Sequence, residues 1–274
     1  MPRPEAYTFV TCLQQVCGLP DGLERRAVNE VAATEKAVAY EGRPGRLLVI
    51  TAHPDDADFG VAGTIAKWIR AGTVAQLVCC TSGDAGADDA RIDPVELARR
   101  REVEQRAAAR VIGYEDVHFL HRPDGALEND LALREQLVRL IRTFRPDAAM
   151  AMDPTVVIRD DGFIQHVDHR QAALAAVDAV YPAARNAMAF PWLVIDEGLE
   201  PVNVDEVYLF FTDRPNIWVD TTDTLEVKMA ALREHVSQLR RPAELEEMLR
   251  KRAREAGTAI GSQAAEPLRH ISLR

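Results

Sequence analysis

The apolar run Leu47-Leu48-Val49-Ile50-Thr51 is followed at once by Ala52-His53-Pro54-Asp55-Asp56. The run has the length and the β-branched content of a buried strand. Pro54 cannot donate to a sheet ladder, so the strand should stop there. One imidazole and two carboxylates are thereby gathered where a strand gives way to a loop. In open α/β sheets that end of a strand is where ligands bind. His53 and Asp56 are ligand types that suit zinc, and Asp55 between them can serve as a base. A turn carrying surface acids is the plain reading of Pro-Asp-Asp alone, but an apolar strand delivering His-x-x-Asp favours the metal.

Outward from this stretch, strands and helices alternate. Strands are predicted over 46–52, 74–80, 116–121 and 148–152, with helices over 60–71, 94–112, 131–144 and 170–180 between and after them. Such alternation indicates a mostly parallel, Rossmann-like sheet flanked by helices, an α/β fold in a single domain over 46–274. Residues 1–45 read as a helical extension closed by Glu41-Gly42-Arg43-Pro44-Gly45. Two further strands, 206–212 and 216–221, are predicted to form a hairpin about Asp213-Arg214-Pro215. A helix is predicted over 225–239, on the spacing of Leu225, Met229, Leu232 and Val236. The tail, 243–274, shows a charged helix and then no clear period.

The chain has 274 residues, of which 47% are apolar, enough for one large core. Its 33 Lys and Arg against 43 Asp and Glu give a net charge of −10, which argues against nucleic acid or an anionic membrane as partner. No apolar run suggests a membrane span and no signal peptide is visible. Cys79 and Cys80 are adjacent, and Cys12 and Cys17 suggest neither a disulfide framework nor a Cys-x-x-Cys site. Buried free thiols in a cytoplasmic protein account for them.

A second cluster, His166-Val167-Asp168-His169, opens an alanine-rich helix. It supplies the third ligand that His53 and Asp56 lack. His53, Asp56 and His169 leave a fourth position for water, the arrangement of a catalytic zinc site, and zinc brings water's pKa to roughly 7. Asp55 is placed to accept that water's proton. His166, protonated, could steady an oxyanion and later protonate a leaving amine, while Asp168 could orient either imidazole. The set suits amide hydrolysis without a covalent intermediate, and no Gly-x-Ser-x-Gly elbow competes. On helix 94–112, Arg101 and Glu104 fall within the apolar stripe of Leu97, Ala108, Val111 and Ile112. They form an internal ion pair or meet substrate. Asp124 lies just past a strand end and is either a Pro-Asp-Gly turn residue or a ligand contact. His118 and His121, three apart on a strand, point to opposite faces, and His118 is taken as structural. The loop Thr81-Ser82-Gly83-Asp84-Ala85-Gly86 lacks the fingerprints of a phosphate cradle.

Taken together, Ala52-His53-Pro54-Asp55-Asp56, His166-x-Asp168-His169, Thr81-x-Gly83-x-x-Gly86, Arg101-x-x-Glu104, Pro123-Asp124-Gly125 and Lys228-x-x-Ala231-Leu232-x-x-His235-x-Ser237-Gln238 resemble the LmbE-like, or PIG-L, zinc-dependent N-deacetylases over about residues 46–240. That resemblance implies one zinc ion per chain held by His53, Asp56 and His169, with Asp55 as base, His166 as electrophile and Asp168 as its neighbour. It implies that Arg101 and Asp124 contact the sugar of a small N-acetylglucosaminyl substrate. Pro215-Asn216 and Val219-Asp220-Thr221-Thr222-Asp223 look like the diacetylchitobiose and bacillithiol-pathway branches, which implies a homo-oligomer, hexameric or trimeric. Val167, Ala57 and Ile164 depart from common family residues. The alternatives are an amidase cleaving a thiol-sugar conjugate, a non-catalytic metal or sugar binder, and a two-metal phosphoesterase.

Overall fold

A computed structural model of the protein describes residues 37–159 and 162–273. The helical extension expected over 1–45 lies mostly outside the described residues. Its described part, 37–45, is extended rather than helical: Ala39 bridges Trp218, and the Tyr40 hydroxyl meets that of Tyr208 at 2.8 Å.

Seven strands form one sheet in the order β3-β2-β1-β4-β5-β7-β6. They are β1 (Arg46–Thr51), β2 (Val74–Thr81), β3 (Asp116–Arg122), β4 (Ala148–Met152), β5 (Glu206–Phe210), β6 (Ile217–Asp220) and β7 (Ala265–Ser272). β1 to β5 run parallel, and β7 is antiparallel to both of its neighbours. β4 and residues Leu47 to Ile50 of β1 are apolar without a break because both faces of a parallel sheet are covered. On one side, α1 (Asp56–Arg70), α2 (Pro94–Ile112), α6 (Leu225–Arg233) and α7 (Pro242–Thr258) pack on each other. A second group is built from α3 (Leu131–Phe144) and α4 (Val167–Asp178), with α4 lying on β1 and β4. A short helix, α5 (Pro191–Ile195), completes the set.

The strand order reverses at β1 and β4, so the chain leaves these two neighbours in opposite directions. Such a switch point opens a crevice beyond the carboxyl ends of the strands. Residues 52–56 follow β1 and residues 153–169 follow β4, which brings the two sequence clusters to one place.

Three expectations fail here. β5 and β6 are not a hairpin: β7 lies between them, with Val207 opposite Ile271 and Val219 opposite Glu266. The tail hides this strand because Glu266 is a buried acid, paired with Lys228 at 2.6 Å and with the Thr64 amide at 2.7 Å. The helix expected over 225–239 ends at Arg233. Val236 then faces solvent, while His235 and Ser237 turn inward to bond Asp58 and Glu104. On α2 the buried stripe is Leu97, Arg101, Gln105, Ala108 and Ile112; Val111 is exposed.

Candidate active site

The loop after β1 folds back on the helix it introduces. Asp56 is the first residue of α1, and its Oδ2 accepts the amides of Ala52 at 3.1 Å and His53 at 2.8 Å. An acid in the first turn is also favoured by the helix dipole. Asp55 occupies the N-cap with φ 87°, a left-handed conformation that is strained for a residue with a Cβ. Its amide is satisfied by Gln105 Oε1 at 2.6 Å.

Three imidazoles converge above this loop. The ring centroids of His53 lie 5.0 Å from His166 and 5.2 Å from His169, and His166 and His169 are 5.3 Å apart. His166 caps α4 and His169 is in its first turn, so the cluster expected at a helix start is placed there. Asp56 touches two of the rings: Oδ1 is 3.1 Å from His169 Nε2 and Oδ2 is 3.7 Å from His53 Nδ1. The other nitrogen of His53 is taken on its far side, by Asp124 Oδ1 at 3.1 Å and Asp168 Oδ2 at 3.2 Å. Asp168 thus orients His53. It is itself fixed by the amides of Gly125 at 2.6 Å and Leu127 at 3.2 Å.

The donor set fits a metal ion. Two ligands each 2.0–2.1 Å from a tetrahedral zinc stand about 3.3 Å apart; Asp56 Oδ1 lies 3.1 Å from His169 Nε2, while it is the other oxygen, Oδ2, that lies 3.7 Å from His53 Nδ1. Asp56 Oδ1 is buried and accepts no hydrogen bond among the described residues. Two overlapping trios, His53-His166-His169 and His53-Asp124-Asp168, also bring one ligand atom per residue within 4.8 Å of one another. Because Asp124 and Asp168 occupy His53 Nε2, its Nδ1 is the atom left to a metal, on the side of Asp56 and His169.

Electrostatics separate the two adjacent aspartates. Burial pushes the Asp55 carboxyl up to about 7, against the pull of Arg101 and His235. Burial also opposes ionisation of Asp56, but His169 and His53 overcome it and hold the group well below the usual carboxylate range. Burial resists a charge on His53, yet Asp124, Asp168 and Asp56 together raise its pKa well above the ordinary value. Asp124 is held down at about 2, mainly by His53 against the cost of burial. His166 moves the other way: burial and the neighbouring His53 and His169 lower its pKa. Its Nδ1 accepts the Asp168 amide at 3.2 Å, which leaves the proton of the neutral ring on Nε2. The lowered pKa favours the neutral ring, donating from Nε2, over the protonated His166 expected from the sequence.

Arg101, expected to reach substrate, is buried beneath the loop at 3% exposure. Nη2 donates to Pro54 O at 2.9 Å and lies 3.4 Å from Asp55 Oδ2, and Nη1 donates to Gly83 O at 3.0 Å. It does not pair with Glu104, which binds the amide and hydroxyl of Ser237 at 2.8 and 2.6 Å. The glycine-rich loop after β2 explains itself here: a Cβ on Gly83 or Gly86 would lie 2.2 or 2.3 Å from Arg101 Nη1. The loop cradles a guanidinium instead of a phosphate. His118 bonds Gln76 Oε1 at 3.1 Å, away from the site. Cys79 and Cys80 are buried and free.

Residues 48–180 match the family model described as PIG-L, GlcNAc-PI de-N-acetylase. A diacetylchitobiose deacetylase of Thermococcus kodakarensis is 32% identical over 230 residues, covering 82% of this chain and 83% of the relative. The chain belongs to the PIG-L family. Another PIG-L relative, a 1D-myo-inositol 2-acetamido-2-deoxy-alpha-D-glucopyranoside deacetylase of a Mycobacterium species, is 30% identical and covers 71% of this chain and 74% of its own length. Among solved structures, the N,N'-diacetylchitobiose deacetylase from Pyrococcus horikoshii superposes with a TM-score of 0.76 at 31% identity, covering 84% of each chain. The seven-stranded, mostly parallel sheet is thus a PIG-L fold. Among the described residues no helix is long and apolar enough to cross a membrane.

Proposed function

We propose that the chain is a zinc-dependent N-deacetylase that removes the acetyl group from a small N-acetylglucosaminyl compound. One observation carries the reading. Three imidazoles, His53, His166 and His169, converge with ligand atoms within 4.8 Å of one another, Asp56 meets two of the rings, and a second carboxylate, Asp55, is buried beside them. A site for structural metal has no use for that extra base. The named activities of the relatives support the substrate class.

In this reading His53, Asp56 and His169 hold the ion. When bound, zinc supplies a Lewis acid that brings water's pKa to roughly 7. Asp55 takes the proton of the attacking water. A cation alongside favours its ionised form, so it enters the reaction as a base. The neutral His166 donates Nε2–H to the oxyanion that forms on the acetyl carbon. Asp55, now protonated, returns its proton to the departing amine, a step the sequence alone assigned to His166. Asp168 keeps His53 in the tautomer that presents Nδ1. The resemblance sets Asp124 against the sugar, but its Oδ1 meets His53 Nε2 and its Oδ2 accepts the Ala85 amide, so in this reading it orients His53 alongside Asp168. Arg101 is reassigned from the substrate to the loop that carries Asp55, since both of its Nη atoms are already engaged. The buried free thiols Cys79 and Cys80 support a reducing, cytoplasmic setting, and the resemblance supports a homo-oligomer.

Amine release from N-acetylglucosamine, diacetylchitobiose, N-acetylglucosaminyl malate and N-acetylglucosaminyl inositol tests the reading. Turnover of at least one, lost on chelation and restored by zinc at one ion per chain, is expected. No release from any of them, or two metals per chain with phosphoesterase activity, would overturn it. Asp124→Ala should weaken zinc binding by loosening His53, read as metal content; a pure sugar contact would instead raise KM with zinc retained.

A further inference from the structure

We propose that Gln105, Asp58 and His235 form a buried hydrogen-bonded chain that positions Asp55; this rests on the reading of Asp55 as the base. The chain runs through three parts of the fold. His235, just past the end of α6, places Nε2 2.7 Å from Asp58 Oδ2 in the first turn of α1. Gln105, in the middle of α2, donates Nε2–H to the same oxygen at 2.9 Å. Its Oε1 then accepts the Asp55 amide at 2.6 Å. Asp58, Gln105 and His235 are each exposed by 1% or less, so none of them reaches substrate.

The polarity of the chain is fixed by chemistry. A backbone amide can only donate, so it requires the oxygen end of the Gln105 side chain. The nitrogen end then needs an acceptor, which Asp58 Oδ2 supplies. His235 holds Asp58 in place. Each residue therefore determines the orientation of the next, and the series ends on the base's own amide.

The same peptide plane is held at its other polar atom. Pro54 O accepts from Arg101 Nη2 at 2.9 Å, while the Asp55 N–H of that same peptide unit donates to Gln105. Arg101 and Gln105 lie four residues apart on α2, so they share one helix face. One turn of a rigid helix thus grips both ends of the Pro54–Asp55 peptide. This grip explains how Asp55 keeps φ 87°, which costs a residue with a Cβ about 1–2 kcal/mol. Rotation of the plane would swing the Asp55 carboxylate away from the reacting water. A misplacement of ~1 Å costs on the order of 10²-fold in rate. An ordinary core ion pair would end on a structural group; this one ends on the catalytic loop.

The test compares Gln105→Leu, His235→Ala and His235→Gln with wild type, using the panel compound that is turned over fastest. Glutamine at 235 keeps an N–H donor near the place of His235 Nε2. Expected is a fall in kcat of about 10- to 100-fold in Gln105→Leu and His235→Ala, with KM within about twofold and metal content unchanged. His235→Gln should recover most of the loss. Hydrogen exchange of the peptide spanning 53–60 gives a readout independent of turnover. Protection of the Asp55 amide should be lost in Gln105→Leu and retained in His235→Gln. Wild-type kcat in Gln105→Leu and His235→Ala, alongside a crippled Asp55→Asn, would overturn the chain and leave the base assignment standing. Equal loss in His235→Ala and His235→Gln would also overturn it. Full activity in Asp55→Asn would overturn the base and the chain together.

Discussion

Replacing Gly83 by alanine probes the arginine cradle. Gly83 has φ +71°, and an added Cβ would lie 2.2 Å from Arg101 Nη1 and 2.4 Å from its Cζ. Gly198 is a matched control: its φ is +68°, with nothing within 4 Å of an added Cβ. Both variants incur the left-handed penalty of about 1 kcal/mol. Only Gly83→Ala must also displace a buried guanidinium from Gly83 O, Pro54 O and Asp55. Each hydrogen bond to a charged group contributes about 1.5–3 kcal/mol, and loss of one or two of them brings the total to about 4 kcal/mol. For a chain of this size about 1 kcal/mol moves Tm by roughly 2–3 °C. Thermal unfolding should therefore show a drop of about 2–3 °C for Gly198→Ala and about 8–12 °C for Gly83→Ala. In an Arg101→Ala background the extra cost of Gly83→Ala should shrink to that of Gly198→Ala, a coupling typical of residues in contact. If the two glycine variants unfold at the same temperature in the wild-type background, the cradle is wrong.

Arg142 is a buried cation whose guanidinium donates to the carbonyls of Ala183, Ala184, Asn186 and Ala189 at 2.8–3.2 Å. Arg142→Leu should cost at least about 3 kcal/mol by removing these bonds to a charged group, read by denaturant unfolding, with metal content unaffected. The carboxyl of Asp55 should also leave a mark on the metal-free protein. Its folded pKa, about 7, lies above the ordinary 3.8, so the folded state holds the extra proton between those pH values. Its contribution to stability is therefore lost as pH rises from about 4 to 7. Metal-free Asp55→Asn should accordingly gain stability relative to metal-free wild type across that window, in paired unfolding curves; a constant difference would contradict the shift.

How much of the fold and site was legible in the sequence follows from what each residue contacts. β4 and the Leu47–Ile50 run of β1 are buried on both faces, so their unbroken apolar runs show in the sequence. β7 does not, because Glu266 and Arg269 interrupt any period and the reasons for them, Lys228 and Asp153, are far away in the chain. The His53-to-Asp56 and His166-to-His169 clusters stood out because ligand types were bunched beside strand and helix ends. Gln105 did not, since one amide on a helix stripe carries no signal without its partners. Its only trace was the spacing of four from Arg101. Glu104 and Arg101 looked like a pair on the helix, but each is matched to a different loop, Glu104 to that of Ser237 and Arg101 to that of Pro54 and Asp55. The short loop after Arg233 reads as more helix because Val236 keeps the period, and only the inward turn of His235 breaks it.

Metal content measured against rate in Asp55→Asn and Asp56→Asn tests most directly the division of labour between the two adjacent aspartates. Asn at 55 keeps the shape but cannot take a proton. Activity should fall by about 10²–10⁴-fold while one zinc ion per chain remains. Asn at 56 removes a charged ligand lying 3.1 Å from His169 Nε2, so the metal should be lost first, and added zinc should restore part of the rate. A protein in which Asp55→Asn loses its zinc and Asp56→Asn keeps it would have the two roles reversed, and a mechanism with Asp55 as base and Asp56 as ligand would not hold.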